Sequence, residues 1–456
     1  MFNFSAINLG CNKNLVDLEF AIGEILKTPS QEINFFEDPL SDEVEYVLIN
    51  TCSFLSSSRA EAEETISYYD SLGKKVIIMG CYTSLKDDDY IKTLKNLHSI
   101  VDYEELKNIG NIAKNLVNKD KIERLKASLA KMKGKELDEY LAKIGGNQIQ
   151  KKAFVWAENT VRAYLNAPYS YEFLKISEGC DNNCSFCIIP KIRGRQNSRT
   201  IENIVTEVKT MIASGIKEIQ IISQDTTRYG TDLYGDSKLY DLLEEIDKIP
   251  GDFKFRLFYM YPDSMTLSHL ERLKNLKKML PYFDIPFQHI SPEILKKMGR
   301  FYDEEHIYKL LDYIKSNFPG VFIHTNFIVG FPGETEEDYK KLCDFAKKYE
   351  FDSVSMFGYH DEEMAASSKL GDKVPDREIE KRVRKLGKIL NSIYDKKEAS
   401  RIGKEETGYI MDILEDDKII VRPEIKAPEI DDYDEINFSQ VIDGDIDIGE
   451  KIIYKR

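Results

Sequence analysis

Long apolar runs are missing from this sequence. No uncharged apolar stretch reaches about 18 residues, the length that a membrane-spanning helix needs. The first five residues, Met1 to Ser5, also lack the basic and then apolar order of a secretory signal. From both absences we expect a cytoplasmic protein without a membrane anchor.

Cysteine is scarce, with seven residues in 456. In a large chain without a secretory signal, cysteines indicate a reducing compartment and metal chemistry rather than disulfide bonds. Basic residues are outnumbered, with 64 Lys and Arg against 79 Asp and Glu, which gives a formal charge of −15. This balance disfavours nonspecific binding of nucleic acid and is compatible with a basic protein partner.

Three of the cysteines, Cys180, Cys184 and Cys187, lie within eight residues of one another. They fall between a predicted strand at 173–177 and a helix that begins near Thr200. This spacing predicts a loop that binds an iron–sulfur cluster. Because clusters held by protein alone normally use four cysteines, one iron would stay open. An open metal position is where a small molecule can bind and be activated.

A structural zinc site is the alternative for this loop, completed by a distant histidine or by Cys343. Zinc ligands usually come as two short pairs, and the sequence has no second pair near the loop. The pattern therefore favours the cluster with an open iron. Cys343 lies in a predicted helix, 339–349, and we expect it to pack in the core.

Each of the first three long predicted strands is followed by a cysteine: Cys11, Cys52 and Cys81. The strands are short apolar runs typical of buried parallel strands, and helical segments alternate with them. The carboxyl ends of parallel strands meet at one edge of a sheet, where ligands gather. We therefore expect a second three-cysteine cluster at this edge. The alternative is three thiols buried in the core.

The predicted elements divide this α/β chain into four segments. Residues 1–118 form an N-terminal α/β domain, and residues 119–172 form a basic helical insertion or linker, with a net charge of +5 over 119–152. Such a charge indicates either a solvated helical face or a basic arm that binds a partner. Residues 173–395 contain about six βα units without a Gly-x-Gly-x-x-Gly motif, which predicts a partial (β/α) barrel. Residues 396–456 alternate apolar and polar positions, which predicts a small antiparallel β-domain.

The last segment is strongly acidic, with 16 acids and 8 bases in residues 401–456. Four of the acids form one run: Asp431, Asp432, Asp434 and Glu435. We interpret this run as a docking surface for a basic protein, which would speed encounter more than it sets final affinity. The alternative is a solvated loop without a partner.

The cysteine loop and five further stretches resemble the radical S-adenosylmethionine (SAM) superfamily. The matching stretches are 176–180, 188–194, 224–230, 284–289 and 329–335. The three strand-end cysteines and the C-terminal β-domain narrow the resemblance to the methylthiotransferases, in which the last domain is a TRAM domain.

The resemblance implies an enzyme that adds a methylthio group to the β-carbon of an aspartate in ribosomal protein uS12. It implies two 4Fe–4S clusters and SAM as cofactors, with an external reductant and an external sulfur donor. The alternative is a tRNA adenosine methylthiotransferase, which the acidic last domain disfavours because an RNA-binding module neutralises phosphates with basic residues. A noncatalytic electron carrier is a further alternative, but it would need neither an open iron nor a barrel of this size.

In addition to the six cluster cysteines, the resemblance implies a pocket that binds SAM. Its candidate residues lie in the cysteine loop and at the ends of barrel strands: Phe186, Ser223, Gln224, Asp225, Gln288, His289, Gly330 and Gly333. Phe186 would pack on adenine, or else fill the core. Ser223 to Asp225 would accept hydrogen bonds from SAM, or else cap a turn. The glycines would let the backbone approach SAM closely.

Overall fold

The computed structural model describes residues 2–27, 33–84, 88–102 and 162–456. The predicted basic insertion at 119–152 lies outside these residues. The chain divides into two compact units, Met1–Tyr164 and Leu165–Arg456.

The first unit contains a five-stranded parallel sheet of order β2-β1-β3-β4-β5. Its strands are β1 (Phe2–Asn8), β2 (Ile33–Phe35), β3 (Tyr46–Thr51), β4 (Lys75–Gly80) and β5 (Leu97–Val101). The described helices are α1 (Asn12–Lys27), α2 (Ser56–Ser71) and α3 (Asp88–Ile91). Every residue of β3 is buried, and Ile66 of α2 packs with Val47 and Ile78 in one core. The predicted α/β sheet is confirmed.

A six-stranded parallel sheet forms the centre of the second unit, in the order β6-β9-β10-β11-β12-β13. Its strands are β6 (Tyr171–Lys175), β9 (Glu218–Ile222), β10 (Lys254–Leu257), β11 (Met279–Asp284), β12 (Phe322–Val329) and β13 (Ser353–Gly358), and a short antiparallel pair is formed by β7 (Ser177–Glu178) and β8 (Asn197–Ser198). Because β6 and β13 remain at separate edges, the sheet is open, and the predicted partial barrel is confirmed.

Helices connect these strands, and four of them begin at a side chain that accepts a hydrogen bond from the first turn: Thr200, Thr266, Asp303 and Thr335. Such caps satisfy backbone N–H groups that have no partner within the helix. The helices of the second unit are α4 (Ile189–Ile192), α5 (Ile201–Ala213), α6 (Thr231–Tyr234), α7 (Leu239–Asp247), α8 (Leu267–Lys274), α9 (Pro292–Lys297), α10 (Glu304–Asn317), α11 (Glu336–Tyr349) and α12 (Asp376–Ala399).

The C-terminal sheet is antiparallel, of order β16-β15-β14-β18-β17. Its strands are β14 (Glu405–Ile413), β15 (Lys418–Pro423), β16 (Asp434–Asn437), β17 (Val441–Asp443) and β18 (Lys451–Lys455). Ile410, Val421 and Ile452 are buried in its core. The predicted antiparallel module is therefore confirmed.

This module attaches to the amino-terminal ends of the barrel strands. Glu218, the first residue of β9, pairs with Arg422 at 2.9 Å and with Arg256 at 3.0 Å, and all three side chains are fully buried. Tyr171, the first residue of β6, donates a hydrogen bond to Glu429 at 3.0 Å. The module therefore lies at the end of the sheet opposite to the carboxyl ends.

Each of the four acids in the run has a partner within this unit, and Asp432 and Glu435 are exposed, so the docking interpretation stays a prediction. Asp434 is buried, accepts from the Tyr454 hydroxyl at 2.7 Å and pairs with Arg456 at 2.8 Å. The other contacts are Ala427 N to Asp431 at 2.9 Å, Tyr394 Oη to Asp432 at 2.9 Å and Lys418 Nζ to Glu435 at 2.6 Å. These contacts hold the fold together and neutralise part of the local charge.

Candidate functional site

The predicted cysteine loop follows the carboxyl end of β6 and the short strand β7. The Cys180 N–H donates to the Gly194 carbonyl at 3.1 Å, and the Cys187 N–H donates to the Cys184 carbonyl at 3.0 Å. Gly179 has a φ of 76°, and a Cβ there would collide with the Arg195 carbonyl. A glycine is therefore required where the loop turns away from the strand.

All three thiols of this loop are free and half-buried. Burial raises the pKa of the Cys180 thiol to about 11 and that of the Cys187 thiol to about 12, and the Cys184 charge acts on both. The thiolate is the form that binds iron, so the cost of burying it is offset when iron is bound. Three free, mutually interacting thiols on one loop fit an iron–sulfur cluster.

The zinc alternative required a ligand from elsewhere in the chain. Cys343 is buried in α11, where it hydrogen-bonds with Tyr339, so it packs in the core as predicted. Within the described ranges, no three His, Cys, Asp or Glu side chains converge on a point that could hold a single metal ion.

The C-terminal end of α9 supports the cysteine loop. Ser185 donates twice, from its N–H to the Met298 carbonyl at 2.9 Å and from its hydroxyl to the Lys297 carbonyl at 2.7 Å. Gly299 follows with a φ of 72°, and a Cβ there would lie 2.5 Å from the Asn183 carbonyl oxygen. The loop geometry therefore depends on this close approach.

Ser223 and Gln224 follow β9 and carry buried polar atoms that point to a ligand. Among the described residues, Ser223 Oγ, Gln224 Oε1 and the nearby Ser177 Oγ have no hydrogen-bond partner. A buried polar atom without a partner is costly, so these atoms fit the acceptors and donors of a bound molecule such as SAM.

Asp225 behaves differently from its two neighbours. Its carboxylate accepts from the Thr227 N–H at 3.0 Å and from Asn182 Nδ2, in the cysteine loop, at 2.6 Å. Asp225 thus caps the turn at Thr226–Arg228, as the alternative interpretation stated, and it also ties that turn to the loop. Burial raises the pKa of its carboxyl group.

Glu178, directly before the loop, was missed by the sequence interpretation. It is fully buried. Its carboxylate pairs with Lys175 at 2.7 Å and with Arg193 at 3.3 Å, and it accepts a hydrogen bond from the Gln224 amide. Although burial alone would raise its pKa, Arg193 and Lys175 lower the pKa of Glu178 to about 2. Its sequence signals were its position next to Gly179–Cys180 and its place in the matching stretch 176–180.

Phe186 packs against a small apolar cluster that contains Ile294, Met298 and Phe331. Phe186 therefore fills part of the core, which was the alternative to packing on adenine. Its ring also lies 5.8 Å from the Arg300 guanidinium, which lies 4.5 Å from the Tyr261 ring. Arg300 was not singled out from the sequence.

Gln288 and His289 follow β11. Gln288 has a left-handed backbone, with a φ of 67°, and its N–H and C=O bond with the Asn326 carbonyl and the Ile328 N–H of β12. His289 is fully buried. Its Nδ1 accepts from the Ser291 N–H at 2.9 Å, and its Nε2 lies 3.4 Å from a Glu334 oxygen. The Ser291 contact gives His289 a structural role, while its buried Nε2 has no hydrogen-bond partner among the described residues.

Gly330 and Gly333 have φ values of 81° and 83°. A Cβ would collide with Ile379 at the first position and with the Lys297 ammonium at the second. Packing against Ile379 therefore accounts for Gly330, whereas Lys297 could move aside and the left-handed backbone is what favours glycine at position 333.

The strand-end cysteines of the first unit lie where the sequence places them. Cys52 and Cys81 directly follow the neighbouring strands β3 and β4, and Cys11 follows β1 on the other side of β3. Cys11 is exposed, Cys52 is half-buried and Cys81 is buried. All three lie at the carboxyl edge of one sheet, so they are not simply three buried core thiols.

Asn14, a residue missed by sequence reasoning, contacts two of these thiols. Its Oδ1 accepts from Cys11 Sγ at 3.3 Å, and its Nδ2 lies 3.7 Å from Cys81 Sγ. The same Nδ2 donates to the Thr51 carbonyl, directly before Cys52, at 3.0 Å. Asn14 is buried and is held from the other side by Asn50 Nδ2, which donates to its carbonyl.

Two family models match the chain: the Radical SAM superfamily over residues 174–346, and the uncharacterized protein family UPF0004 over residues 3–102. A protein named "Ribosomal protein uS12 methylthiotransferase RimO" from Dictyoglomus thermophilum is 36% identical over 93% of this chain and 90% of its own length. Proteins of the same name from Aquifex aeolicus and Clostridioides difficile are 36% and 35% identical over 93% and 94% of this chain and 88% and 91% of their own lengths.

Solved structures with a similar fold include two other SAM enzymes. The methyltransferase TsrM from Kitasatospora setae, with cobalamin and a [4Fe-4S] cluster bound, superposes with a TM-score of 0.55 at 14% identity, covering 80% of this chain and 77% of its own. The cobalamin-dependent enzyme OxsB superposes with a TM-score of 0.53 at 13% identity, covering 86% and 56%. At these identities the likeness concerns the fold alone.

Proposed function

Because this chain belongs to the RimO family of ribosomal protein uS12 methylthiotransferases, which are radical SAM enzymes, we propose that it adds a methylthio group to the β-carbon of an aspartate in uS12. The cysteine loop is the observation that carries this proposal. It brings three free thiols to the carboxyl end of β6, next to polar atoms of Ser177, Ser223 and Gln224 that have no partner among the described residues.

The six cysteines divide into two proposed ligand sets. Cys180, Cys184 and Cys187 would hold one 4Fe–4S cluster with an iron open to SAM, and Cys11, Cys52 and Cys81 would hold the other. When bound, these clusters and SAM supply the radical and sulfur-transfer chemistry, which no side chain can supply.

The neighbouring residues position these groups. Asn182 and Asp225 fix the loop to the end of β9, while α9 fixes it through Ser185. Glu178 orients the Gln224 amide so that its unpartnered Oε1 is available to a ligand. We propose Ser223 and Gln224 as hydrogen-bonding residues for SAM, with Phe186, Gln288, Gly330 and Gly333 shaping the pocket. Asp225 would act indirectly, by holding a wall of the pocket, and the unpartnered Nε2 of His289 would be available to a ligand.

The remaining assignments are proposals as well. The boundaries 1–118, 119–172, 173–395 and 396–456 separate the N-terminal domain, the basic insertion, the barrel and the TRAM-like domain. We propose an external reductant and an external sulfur donor. None of the described helices is long and apolar enough to cross a membrane. All seven cysteines are free of disulfide bonds in the described residues, which supports a reducing compartment, and we propose the cytoplasm.

A tRNA substrate is not favoured. The named relatives act on a ribosomal protein, and the C-terminal module carries 16 acids and 8 bases, a composition unsuited to binding phosphates.

Mass spectrometry of ribosomal proteins tests the proposal. In a strain without this chain, uS12 should lose about 46 Da, the mass of a methylthio group that replaces hydrogen. The parent gene should restore the mass, and a Cys184→Ala gene should not. An unchanged uS12 mass together with loss of methylthio-adenosine from tRNA would overturn the proposal in favour of the tRNA alternative.

A further inference from the structure

Arg300 is a buried cation whose counter-charge is missing from the described chain. The residue is 5% exposed. Its Nη1 donates to the Pro286 carbonyl at 2.7 Å and to the Tyr302 hydroxyl at 3.2 Å, and its Nε has no partner among the described residues. All of these contacts are neutral, and no described carboxylate forms an ion pair with Arg300. Buried charges are normally paired, because an unpaired one is strongly destabilising.

Arg300 contacts two aromatic rings, one that belongs to the cysteine loop and one that contacts it. The guanidinium carbon is 4.5 Å from the centroid of Tyr261, whose hydroxyl is 3.8 Å from Cys184 Sγ. It is 5.8 Å from the ring of Phe186, the residue before Cys187. The guanidinium of Arg300 therefore lies beside one ring whose hydroxyl approaches Cys184 and another that directly precedes Cys187 in the chain.

Other cations near the loop already have partners. Arg193 pairs with the buried Glu178, and Arg228 donates to Asn182 at 3.1 Å. The nearby carboxylates, Asp181 and Asp225, act on Cys180. Arg300 thus differs from Arg193, whose charge is compensated by Glu178, because no described carboxylate compensates the charge of Arg300.

We propose that Arg300 is the counter-charge of the cluster held by Cys180, Cys184 and Cys187, and that it raises the potential at which this cluster accepts an electron. The inference rests on the proposed function, since it needs a cluster at these cysteines. An electron from an external reductant adds one negative charge to the cluster. A fixed positive charge nearby, in a buried site, stabilises that reduced state. Arg300 is in this sense a positioning and tuning residue, not a catalytic one.

A potentiometric titration followed by electron paramagnetic resonance tests this inference. The full-length chain would carry Ala at Cys11, Cys52 and Cys81, so that only the central cluster is observed, and dithionite would serve as the reductant. At a fixed potential, Arg300→Met should lower the ratio of reduced to oxidised cluster about tenfold, a shift of about 59 mV for one electron. Arg300→Lys, which keeps the charge, should stay within about threefold of the parent.

Tyr302→Phe is the matched control. It removes a hydrogen-bond partner of Arg300, and also the hydroxyl that donates to the Phe287 carbonyl, but leaves the charge in place. Its potential should equal that of the parent. An Arg300→Met chain with full iron content and an unchanged potential would overturn the inference. Weakened SAM binding at an unchanged potential would instead assign Arg300 to the SAM carboxylate, and this outcome would overturn it too.

Two further outcomes keep the test decisive. If Arg300→Met fails to assemble its cluster, Arg300→Lys decides the question. A parent-like potential in the Lys variant supports the inference. Loss of iron in the Lys variant as well refutes it, because a positive charge at this position would then not be enough to stabilise the cluster. If the parent chain itself binds no iron at Cys180, Cys184 and Cys187, the proposed function fails, a result distinct from failure of the Arg300 inference.

Discussion

Two of the six proposed ligand cysteines contact one amide side chain, that of Asn14. The amide oxygen accepts from the Cys11 thiol, and the amide nitrogen lies near Cys81 and donates to the backbone just before Cys52. One buried residue thus touches all three chain segments that carry the N-terminal cysteines. The neutral amide of Asn14 is therefore placed where it can position these three cysteines.

Asn14→Ala should therefore loosen the N-terminal cluster while leaving the central one intact. In a chelator challenge of the reconstituted chain, we expect about half of the iron to be released faster than from the parent, since each triad holds about four of eight irons. The control is Asn34→Ala, which removes an exposed amide that donates to Asn3, and it should release iron at the parent rate. Equal release from both variants would show that Asn14 does not support this cluster.

Replacing Cys180, Cys184 or Cys187 with Ala should lower the iron content from about eight to about four per chain. Formation of 5′-deoxyadenosine from SAM should also be lost, because it needs the central cluster. Cys343→Ala removes a thiol that is buried in α11 outside the loop, and it should keep both the iron and the activity. Full iron content in all three loop variants would refute the assignment of the loop.

At the scale of elements, α9 and the cysteine loop form one assembly. The carbonyl groups at the end of the helix accept from Ser185, and Gly299 lets the backbone approach Asn183. The loop has little regular structure of its own, so its shape depends on the helix that supports it.

Gly299→Ala should displace the loop and lower the iron content of the central cluster. Gly215 is the matched control, because it also has a positive φ, 92°, but open space where a Cβ would be placed. Gly215→Ala should cost about 1 kcal/mol of stability from backbone strain alone, with iron unchanged. Iron assays and thermal unfolding of both variants check the prediction, and parent-like iron in Gly299→Ala would contradict it.

At the scale of the whole second unit, the C-terminal module and the cysteine loop occupy opposite ends of the barrel sheet. The Glu218, Arg256 and Arg422 side chains join the module to the amino-terminal ends of β9 and β10. If this module contributes to substrate binding, it does so at a distance from the loop. The ion pairs of Glu218 with Arg256 and Arg422 serve to attach the module to the sheet.

Arg422→Met should destabilise the second unit by about 3–5 kcal/mol, because it leaves the buried Glu218 with one cation fewer. Lys418→Met removes an exposed partner of Glu435 and should cost about 1 kcal/mol or less. Denaturant midpoints of the two variants test the difference. Under native conditions, SAM binding should be unchanged in both, and similar midpoints would show that the buried ion pair is dispensable.

Much of the architecture could be read from the sequence, because it is encoded locally. Buried parallel strands appear as short apolar runs, and each cysteine that follows one of them lies at the carboxyl edge of its sheet. The spacing of Cys180, Cys184 and Cys187 places three possible ligands on one short loop, although the shape of that loop depends on α9. The resemblance to the radical SAM superfamily is carried by these local patterns, and the relatives show the family.

The tertiary structure decided which polar groups remain available. Asp225 looked like a ligand residue in the sequence, yet its carboxylate is engaged by its own chain, and so are the acids of the run at 431–435. His289 is engaged at Nδ1, while its Nε2 has no hydrogen-bond partner among the described residues. Arg300 looked ordinary, yet it is buried without a described carboxylate partner. Such outcomes depend on contacts between distant residues, as with Arg422 and Glu218, which are 204 positions apart. A local sequence pattern does not predict these contacts, because the partner of a buried charge comes close to it only when the chain folds.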